Sequence, residues 1–453
     1  MRSMIQPVSI IQKVRLKPER LASLSRRFGR NGRETYVDAY NKGNPVSEIQ
    51  RYIEKLGPLQ EKYPLVACAR NSAMISSFSW NLQDITTFAM SKVMRVPQVG
   101  PFKNLSARKY CSGSKPKDVA REIQRAKRDY GLTNGIFNWA GEHTESLIGV
   151  QENMQQYFRI IELVSMEFPR ELGGASFSGT TVSMKPSQFG TYMGESELRE
   201  IFPEIFSQEG DDALWIARHL FTLNNMTYVA EYAKEKRVDI WVDMEDHRLT
   251  TFTAHVLYPS LVEDENIGLV IQGNLTRTPV DLEVISKVMD DVEHKLRSCK
   301  GVYYFPEFDV YVPMGERTET FMELNRAIVE VPSKHGIKIV FASGSMDIDS
   351  QRETVRAVQE KDDERLRFRM QVLKGCFGDN MVDLARKNDI PLDIYFNFGK
   401  MIFPYSLRRL RKSPIVQQMM GGMEKHPLLI VPSKIYARFY EKEKPKETLP
   451  TLL

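Results

Sequence analysis

The residues best suited to binding an anion lie between Leu392 and Ser413, in the stretch LDIYFNFGKMIFPYSLRRLRKS. Its first half alternates in polarity as a strand does, and a glycine and a proline separate this strand from a helix. Tyr405 shares one helix face with Arg408 and Arg409, because residues three and four apart are neighbours on a helix. Two adjacent guanidinium groups can hold a carboxylate through paired hydrogen bonds. The alternative is a solvated basic helix face, because two more basic residues follow at once.

Other positively charged residues stand where predicted strands end. They suit an anionic ligand, which could be a carboxylate substrate, a phosphate-bearing cofactor or both. Lys185 and Asp243 end consecutive predicted strands, so we expect a salt bridge between them. The basic groups outnumber the acidic ones at these ends and comprise Lys185, Arg297, Lys300, Arg408 and Arg409.

Several other chemistries lack the residues that they need. The seven histidines and four cysteines are scattered, with no H-E-x-x-H and no C-x-x-C spacing, so we predict no metal site and no disulfide framework. No G-x-S-x-G nucleophile motif occurs. Asp243 and Glu245 share a strand face and could form a carboxylate pair for glycoside chemistry, but nothing else supports a sugar site.

Elements that could position these groups recur from about residue 131 onward. Short apolar runs alternate with amphipathic helical segments such as Asp211–Lys234, Val280–Leu296 and Gln351–Arg365, which predicts a (β/α)8 barrel of TIM type in the α/β class. A doubly wound open sheet is the alternative, but the sequence has no Gly-rich phosphate-binding turn. The eight predicted strands are Gly135–Glu142, Gly179–Lys185, Val238–Glu245, Ile267–Asn274, Ser298–Tyr304, Ile337–Ser343, Leu366–Leu373 and Leu392–Asn397.

The chain has 453 residues, which is enough for one large barrel with appendages. Its net charge of +5, from 63 basic and 58 acidic residues, does not suggest a nucleic-acid-binding protein. Residues 1–32 are Arg-rich and acid-poor, which is typical of a mitochondrial targeting leader, although a basic N-terminal arm of a cytoplasmic protein is the alternative. We expect an N-terminal helical region over 33–130, the barrel over 131–414 and a tail over 415–453.

Seven stretches resemble the proline dehydrogenase family, in that family's order and spacing. They are GIFNWAGE, VSMKPSQFG, IWVDMEDH, IQGNLTRTPVDL, RSCKGVYYFP, RFRMQVLKG and IYFNFG with PYSLRRL. The resemblance implies a distorted (β/α)8 barrel that binds FAD and oxidises L-proline to 1-pyrroline-5-carboxylate. It also implies a quinone as electron acceptor and peripheral association with a membrane, on the matrix side of the inner membrane if the protein is mitochondrial.

The resemblance assigns a role to each matching residue. Arg408, Arg409 and Lys185 match the groups that hold the proline carboxylate, while Asp243 matches the acid that holds the lysine. Arg297 matches the residue beside the reactive flavin nitrogen. The aromatic residues that match the walls of the substrate site are Tyr303, Tyr395 and Tyr405. The residues that match the flavin-binding set are Met244, Gln272, Arg297, Lys300, Gly301, Val302, Ser343 and Gly344.

Five positions depart from the family pattern. Gly344 replaces a histidine after the sixth strand, Gly273-Asn274 replaces Ala-Tyr, Lys412 replaces an acid and Asn397 replaces a proline. Ser343 is expected to keep a hydroxyl contact to the flavin. These departures leave two alternatives open, namely a dehydrogenase for hydroxyproline or another imino acid, and a catalytically degenerate barrel with a binding or assembly role.

Overall fold

Eight parallel strands close into a barrel in the order β1 to β8, with β1 paired to β8. The structure, a computed structural model, describes residues 111–399 apart from 132–133, 142–143, 171–174, 176, 209, 211–212, 246, 263–265, 289–292, 302–311 and 313–315. The predicted (β/α)8 barrel is therefore confirmed. The strands are β1 Asn134–Trp139, β2 Thr181–Met184, β3 Ile240–Val242, β4 Ile267–Gln272, β5 His294–Cys299, β6 Ile339–Gly344, β7 Leu366–Leu373 and β8 Leu392–Phe398.

Helices cover the outside of the barrel. Their bounds are α1 Pro116–Tyr130, α2 Leu147–Glu167, α3 Glu195–Ile201, α4 Pro203–Gln208, α5 Ala213–Glu235, α6 His247–Phe252, α7 Tyr258–Leu261, α8 Thr278–Val288, α9 Arg317–His335, α10 Ile348–Lys361 and α11 Asp379–Lys387. A π-helical turn, Thr253–Leu257, joins α6 to α7. Within the described residues, no helix is both long and apolar enough to cross a lipid bilayer.

The wall of the barrel is distorted where it closes. Helix α1, which precedes the first strand, contacts both β1 and β8 and buries Val119, Ile123 and Ala126. In a regular barrel the helix after the eighth strand takes this place. Residues Cys111 to Gly113 then run beside the end of β8, where Ser112 N donates to Asn397 O at 2.8 Å.

The prediction for the fifth strand was wrong in its position. Ser298–Tyr304 was expected, but the strand is His294–Cys299, and the helix predicted to reach Leu296 ends at Val288. Lys295 and Arg297 are buried members of this strand. Because charged side chains occupy positions that are usually apolar in a barrel strand, the hydrophobic pattern does not reveal this one.

Charged side chains also fill the barrel near the amino-terminal ends of its strands. Arg369 of β7 and Asp393 of β8 form a buried bidentate pair with Nε–Oδ2 and Nη2–Oδ1 distances of 2.9 and 2.5 Å. Asp239, just before β3, accepts from Arg170 Nη1 at 3.0 Å and from Phe177 N at 2.8 Å. The lower interior is therefore ionic, where barrels of this type usually pack branched apolar side chains.

Asp239 should make stability depend on pH. Burial raises the pKa of Asp239 to about 6, although the nearby Arg170 opposes the shift. The pKa of Asp239 is higher in the folded than in the unfolded state, so folding is favoured when this carboxyl is protonated. The stabilisation is complete below the unfolded pKa and is lost as the pH rises through the folded pKa. The gap corresponds to about 3 kcal/mol.

We therefore expect the free energy of unfolding of Asp239→Asn, relative to the wild type, to rise by about 3 kcal/mol from about pH 4 to about pH 7. Any constant offset from the weakened contact with Arg170 cancels in this comparison. Urea unfolding at several pH values measures the change. A difference that stays constant with pH would contradict the assignment.

Candidate active site

A buried carboxylate organises the carboxyl-terminal end of the barrel. Asp243 directly follows β3, and its Oδ1 accepts hydrogen bonds from Ser183 Oγ at 2.6 Å and from Arg297 Nη2. Its Oδ2 accepts from the Tyr395 hydroxyl at 2.7 Å, and the same hydroxyl lies 3.3 Å from Ser183 Oγ. These four residues, which we call the Asp243 cluster, come from strands β2, β5 and β8 and from the end of β3. A carboxylate with three such partners is fixed in orientation.

The guanidinium of Arg297 lies between two aromatic rings. Its central carbon is 5.6 Å from the centre of the Trp241 ring and 5.0 Å from the Tyr395 ring. Gly268 makes room for Trp241 inside the barrel, since a Cβ there would lie 2.6 Å from the indole. Arg297 Nη1 is buried and has no hydrogen-bond partner among the residues that the structure describes. A charged donor left unsatisfied at this depth is costly unless a ligand completes it.

The expected salt bridge between Lys185 and Asp243 is absent among the described residues, and that prediction was wrong. Asp243 pairs with Arg297, whereas Lys185 Nζ donates to Asn138 Oδ1 at 2.8 Å. Arg297 enters from β5 at the level of Asp243, and its planar fork is well suited to a carboxylate. The acid predicted to hold the lysine therefore holds an arginine.

Two further groups beside the cluster are fixed by hydrogen bonds. Glu245 accepts from Ser187 N at 2.7 Å and from Ser187 Oγ at 2.6 Å. Burial, followed by the negative charges of Asp243 and Glu245, raises the pKa of Tyr157 well above its usual range. Tyr157 therefore stays protonated, and its hydroxyl lies within hydrogen-bond distance of Gln188 Oε1 and, at 3.1 Å, of Ser183 O. This bond supports the strand that carries Ser183.

The predicted flavin-binding residues that are described lie in the last residues of strands β4 to β6 or just after strands β3 and β5. Gln272 ends β4, and its Nε2 donates to the backbone of Glu245. Its Oε1 is buried and has no partner within the described part of the chain. Lys300 Nζ, just after β5, lies 3.2 Å from Asp347 Oδ2 and 3.1 Å from Thr318 Oγ1. Partial burial opposes ionisation of Asp347, but hydrogen bonds from Ser350 and the charge of Lys300 hold its pKa below the usual value.

Ser343, Gly344 and Met244 are placed differently from Gln272 and Lys300. The Ser343 hydroxyl accepts from Asn325 of helix α9 at 3.3 Å, so it faces the helical layer instead of making the expected contact at the mouth. Gly344 ends β6, where a Cβ would lie 2.8 Å from the carbonyl oxygen of Ser298. Met244 packs in the apolar core. The side-chain alternation of a strand explains why Ser343 points outward when its neighbours point inward.

Five predicted site residues lie outside the described part of the chain: Val302, Tyr303, Tyr405, Arg408 and Arg409. The structure adds three residues to the site that the sequence analysis did not identify, namely Asn138, Ser183 and Trp241. Ser183 and Trp241 each lie two residues before a predicted site residue, Lys185 and Asp243 respectively. Because side chains two apart share a strand face, this spacing was a usable signal.

The fold and the site define the class of protein: a distorted (β/α)8 barrel with a buried arginine–aspartate pair at its mouth. The sequence profile of the family described as proline dehydrogenase matches residues 119–412. The chain therefore belongs to the proline dehydrogenase family.

Individual relatives agree with the family but match only part of their own length. Proline dehydrogenase 1 of Bacillus subtilis subsp. natto is 26% identical over 206 residues, which cover 42% of this chain and 60% of that protein. Proline dehydrogenase 2 of Bacillus subtilis (strain 168) is 23% identical over 190 residues, covering 42% and 59%. The chain thus spans about 60% of the length of these curated relatives.

A solved structure shows the same fold. Proline utilization A (PutA) from Bdellovibrio bacteriovorus superposes with a TM-score of 0.55 and 16% sequence identity. The match covers 90% of this chain and 41% of that one. PutA from Bradyrhizobium japonicum aligns similarly, with a TM-score of 0.53 and 14% identity, over 89% of this chain and 44% of that one.

Proposed function

We propose that this protein oxidises L-proline to 1-pyrroline-5-carboxylate, the first step of proline catabolism, with FAD as the bound cofactor and a quinone as the final electron acceptor. The observation that carries this proposal is the buried Arg297–Asp243 pair, whose guanidinium keeps one unsatisfied donor at the barrel mouth. Family membership supplies the reaction class, and the relatives named proline dehydrogenase support the substrate.

The residues at the strand ends fit a flavin. In the described ranges, Arg297 Nη1 is a donor and Gln272 Oε1 an acceptor without a hydrogen-bond partner, and the two residues belong to the neighbouring strands β5 and β4. A flavin ring has both donor and acceptor atoms along one edge, so such a pair suits it. Gly301 has a φ of +83°, a conformation that favours glycine and lets a ligand approach the backbone. Lys300 and Gly301 would hold the same cofactor just beyond the end of β5.

The bound flavin would supply a hydride acceptor, which the side chains of this protein lack. The substrate loses a hydride from ring carbon C5 and a proton from nitrogen, which leaves a carbon–nitrogen double bond. In this proposal Lys185 pairs with the substrate carboxylate, and Asp243 fixes Arg297 and Tyr395 beside the substrate ring. Buried, preorganised charges of this kind accelerate a reaction because they need no reorientation during it.

The left-handed turn at Gly301 gives a direct test of cofactor binding. In Gly301→Ala the new Cβ would lie 1.9 Å from Asn274 Oδ1, so either the Asn274 side chain or the turn must move. We expect the purified variant to retain less than about a tenth of the wild-type flavin, because losing one hydrogen bond to a charged group of the cofactor costs about 1.5–3 kcal/mol. Absorbance at the flavin maximum relative to protein measures this.

Gly336→Ala is the matched control. Gly336 also has a positive φ, +76°, but it ends helix α9, and a Cβ added there would meet no atom within 4 Å. Both variants bear the same backbone strain, of about 1 kcal/mol. Equal flavin content in the two variants would argue against a cofactor at Gly301.

A second candidate function is a barrel that binds carboxylates without redox turnover. A Cβ at Gly344 or at Gly273 would lie 2.8 or 3.0 Å from neighbouring backbone atoms, so the wall is closed where the family pattern has larger side chains. A purified protein that cannot be loaded with flavin, yet binds a ring carboxylate, would favour this candidate.

The experiment that tests the proposed activity compares three imino acids. L-Proline, trans-4-hydroxy-L-proline and pipecolate are offered to the flavin-loaded protein with a soluble quinone, and the cyclic imine product is trapped and identified. We expect the highest kcat/KM with L-proline. A preference for hydroxyproline or pipecolate would assign the site to that imino acid instead.

We also propose a mitochondrial location, with peripheral association that brings the site to a membrane quinone. The basic, acid-poor composition of residues 1–32 supports it. The test is to fuse residues 1–32 to the amino terminus of a fluorescent protein and to express the fusion in a eukaryotic cell. Diffuse cytoplasmic fluorescence would contradict the proposal.

A further inference from the structure

A buried lysine at the mouth has a neutral partner. Lys185 is 6% exposed, and its Nζ donates to Asn138 Oδ1 at 2.8 Å. Within the described residues, no carboxylate oxygen lies within 4 Å of this ammonium, since Asp243 is engaged by Arg297. Buried ammonium groups are usually paired with a carboxylate, because an unpaired charge is costly to bury. Among the described residues, the positive charge of Lys185 is therefore solvated by an amide but not neutralised by a carboxylate.

The amide is itself held in one orientation. An ammonium can only donate, so Asn138 must turn its oxygen toward Lys185. This orientation directs Asn138 Nδ2 to Asn397 Oδ1, at 2.6 Å. Asn138 and Asn397 are directly opposite each other in the β1–β8 pair, and both are at most 1% exposed. Asn397 stands where the family pattern has a proline, which offers no side-chain acceptor.

We propose that Asn138 and Asn397 are positioning residues that hold the ammonium of Lys185 ready for the carboxylate of the substrate. The hydrogen bonds from Lys185 to Asn138 and from Asn138 to Asn397, which we call the relay, hold the ammonium without neutralising it. The substrate carboxylate then completes the ion pair. A carboxylate at position 138 would instead neutralise Lys185 before the substrate arrives. This inference rests on the proposed function, since it assigns the substrate carboxylate to Lys185.

A double-mutant cycle tests the relay apart from turnover. The probe is cyclopentanecarboxylate, a five-membered ring carboxylate without a reactive nitrogen, and its Kd is measured by titration calorimetry on the full chain. We expect Asn138→Leu to weaken binding roughly 10- to 100-fold, because it removes a hydrogen bond to a charged group. Asn397→Leu should weaken it by roughly 3- to 10-fold, because it only loosens the orientation of Asn138.

Energetic coupling to Lys185 distinguishes a role in positioning the ammonium of Lys185 from a general loss of structure at the site. In a Lys185→Met background, which already lacks the charge, neither asparagine variant should change the Kd by more than about twofold. If both variants still weaken binding there by their full factors, they act on structure and the inference is overturned. For the intact site we also expect Asn138→Leu to raise KM for L-proline more than it lowers kcat.

Two isosteric variants cover the case in which leucine prevents folding. Asn138→Asp supplies an anion to Lys185 and loses the donor to Asn397, so we expect Kd to rise roughly 10-fold or more. Asn397→Asp keeps the acceptor for Asn138 but buries a charge one residue further from Lys185, so it should weaken binding less than Asn138→Asp does. Asn266→Leu is the control for a buried amide at the opposite end of the barrel, where Asn266 donates to Ala230 O and Val238 O. It should leave the Kd unchanged.

The outcomes separate this inference from the proposed function. If L-proline reduces the bound flavin but the double-mutant cycle shows no coupling between the asparagines and Lys185, the inference alone is overturned. If the cycle shows that coupling but none of the imino acids reduces the bound flavin, the proposed function alone is overturned. A wild-type protein that does not bind cyclopentanecarboxylate overturns the inference, whatever the flavin does.

Discussion

Asp243→Ala is expected to lower kcat/KM for L-proline by on the order of 10²- to 10³-fold. Asp243 receives hydrogen bonds from Ser183, Arg297 and Tyr395, so its removal frees three groups at once. It also leaves the Arg297 charge buried and unpaired, which should cost about 3–5 kcal/mol of stability. Stopped-flow flavin reduction and urea unfolding measure the two effects.

Two variants show whether the loss is local to the site. Asp243→Asn keeps the size of the side chain but not its charge, and we expect an intermediate loss of activity. Asp281→Asn is the matched control, because Asp281 is also buried and bonds to His255 and Arg277, but on the helices outside the barrel. It should lose stability but keep its kcat/KM. Equal losses of activity in the Asp243 and Asp281 variants would show that Asp243 acts through folding alone.

Asp393→Ala should be the most destabilising substitution in the lower half of the barrel. It leaves the Arg369 guanidinium buried without its bidentate partner, at a cost of about 3–5 kcal/mol in the free energy of unfolding. The pair lies inside the closed sheet, where water cannot replace the lost contact. Urea unfolding at neutral pH, with the folded fraction followed by far-UV circular dichroism, measures the change.

The double variant Arg369→Met/Asp393→Leu removes both charges together. We expect it to be less destabilised than Asp393→Ala, because a buried pair replaced by apolar side chains leaves no unpaired charge. The exposed pair Arg125–Asp129 on helix α1 provides a contrast, and Asp129→Ala should change stability by less than about 1 kcal/mol. A double variant less stable than the single one would show that the ion pair itself stabilises the barrel.

Most of the fold was predictable because seven strands carry apolar residues at the expected spacing. The strand that was misplaced, His294–Cys299, is the one whose inward positions hold Lys295 and Arg297. Periodicity reports the hydrophobic pattern. Strands β7 and β8 keep apolar residues on their other face although they carry Arg369 and Asp393, whereas β5 has His294 and Ser298 beside Leu296 on that face. The distortion at α1 was also invisible to local pattern, because it depends on which helix packs against β1 and β8.

The site was predictable in its residue types but not in its pairings. Charged groups at strand ends follow from the architecture, which gathers the carboxyl ends of all eight strands at one mouth. Which cation Asp243 would bind depends on side-chain reach across the barrel, and Arg297 occupied the position expected of Lys185. Asn138 gave no sign in the sequence of its bond to Lys185, because its partner lies on a different strand.

The most direct test of the proposed function is anaerobic addition of L-proline to the purified, flavin-loaded protein while its visible absorption spectrum is recorded. We predict that the oxidised flavin bands bleach, and that Asp243→Ala loses this response while Asp281→Asn keeps it. A protein that binds flavin but stays oxidised with L-proline, hydroxyproline and pipecolate would contradict the proposed activity. A protein that cannot be loaded with flavin at all would contradict the cofactor as well.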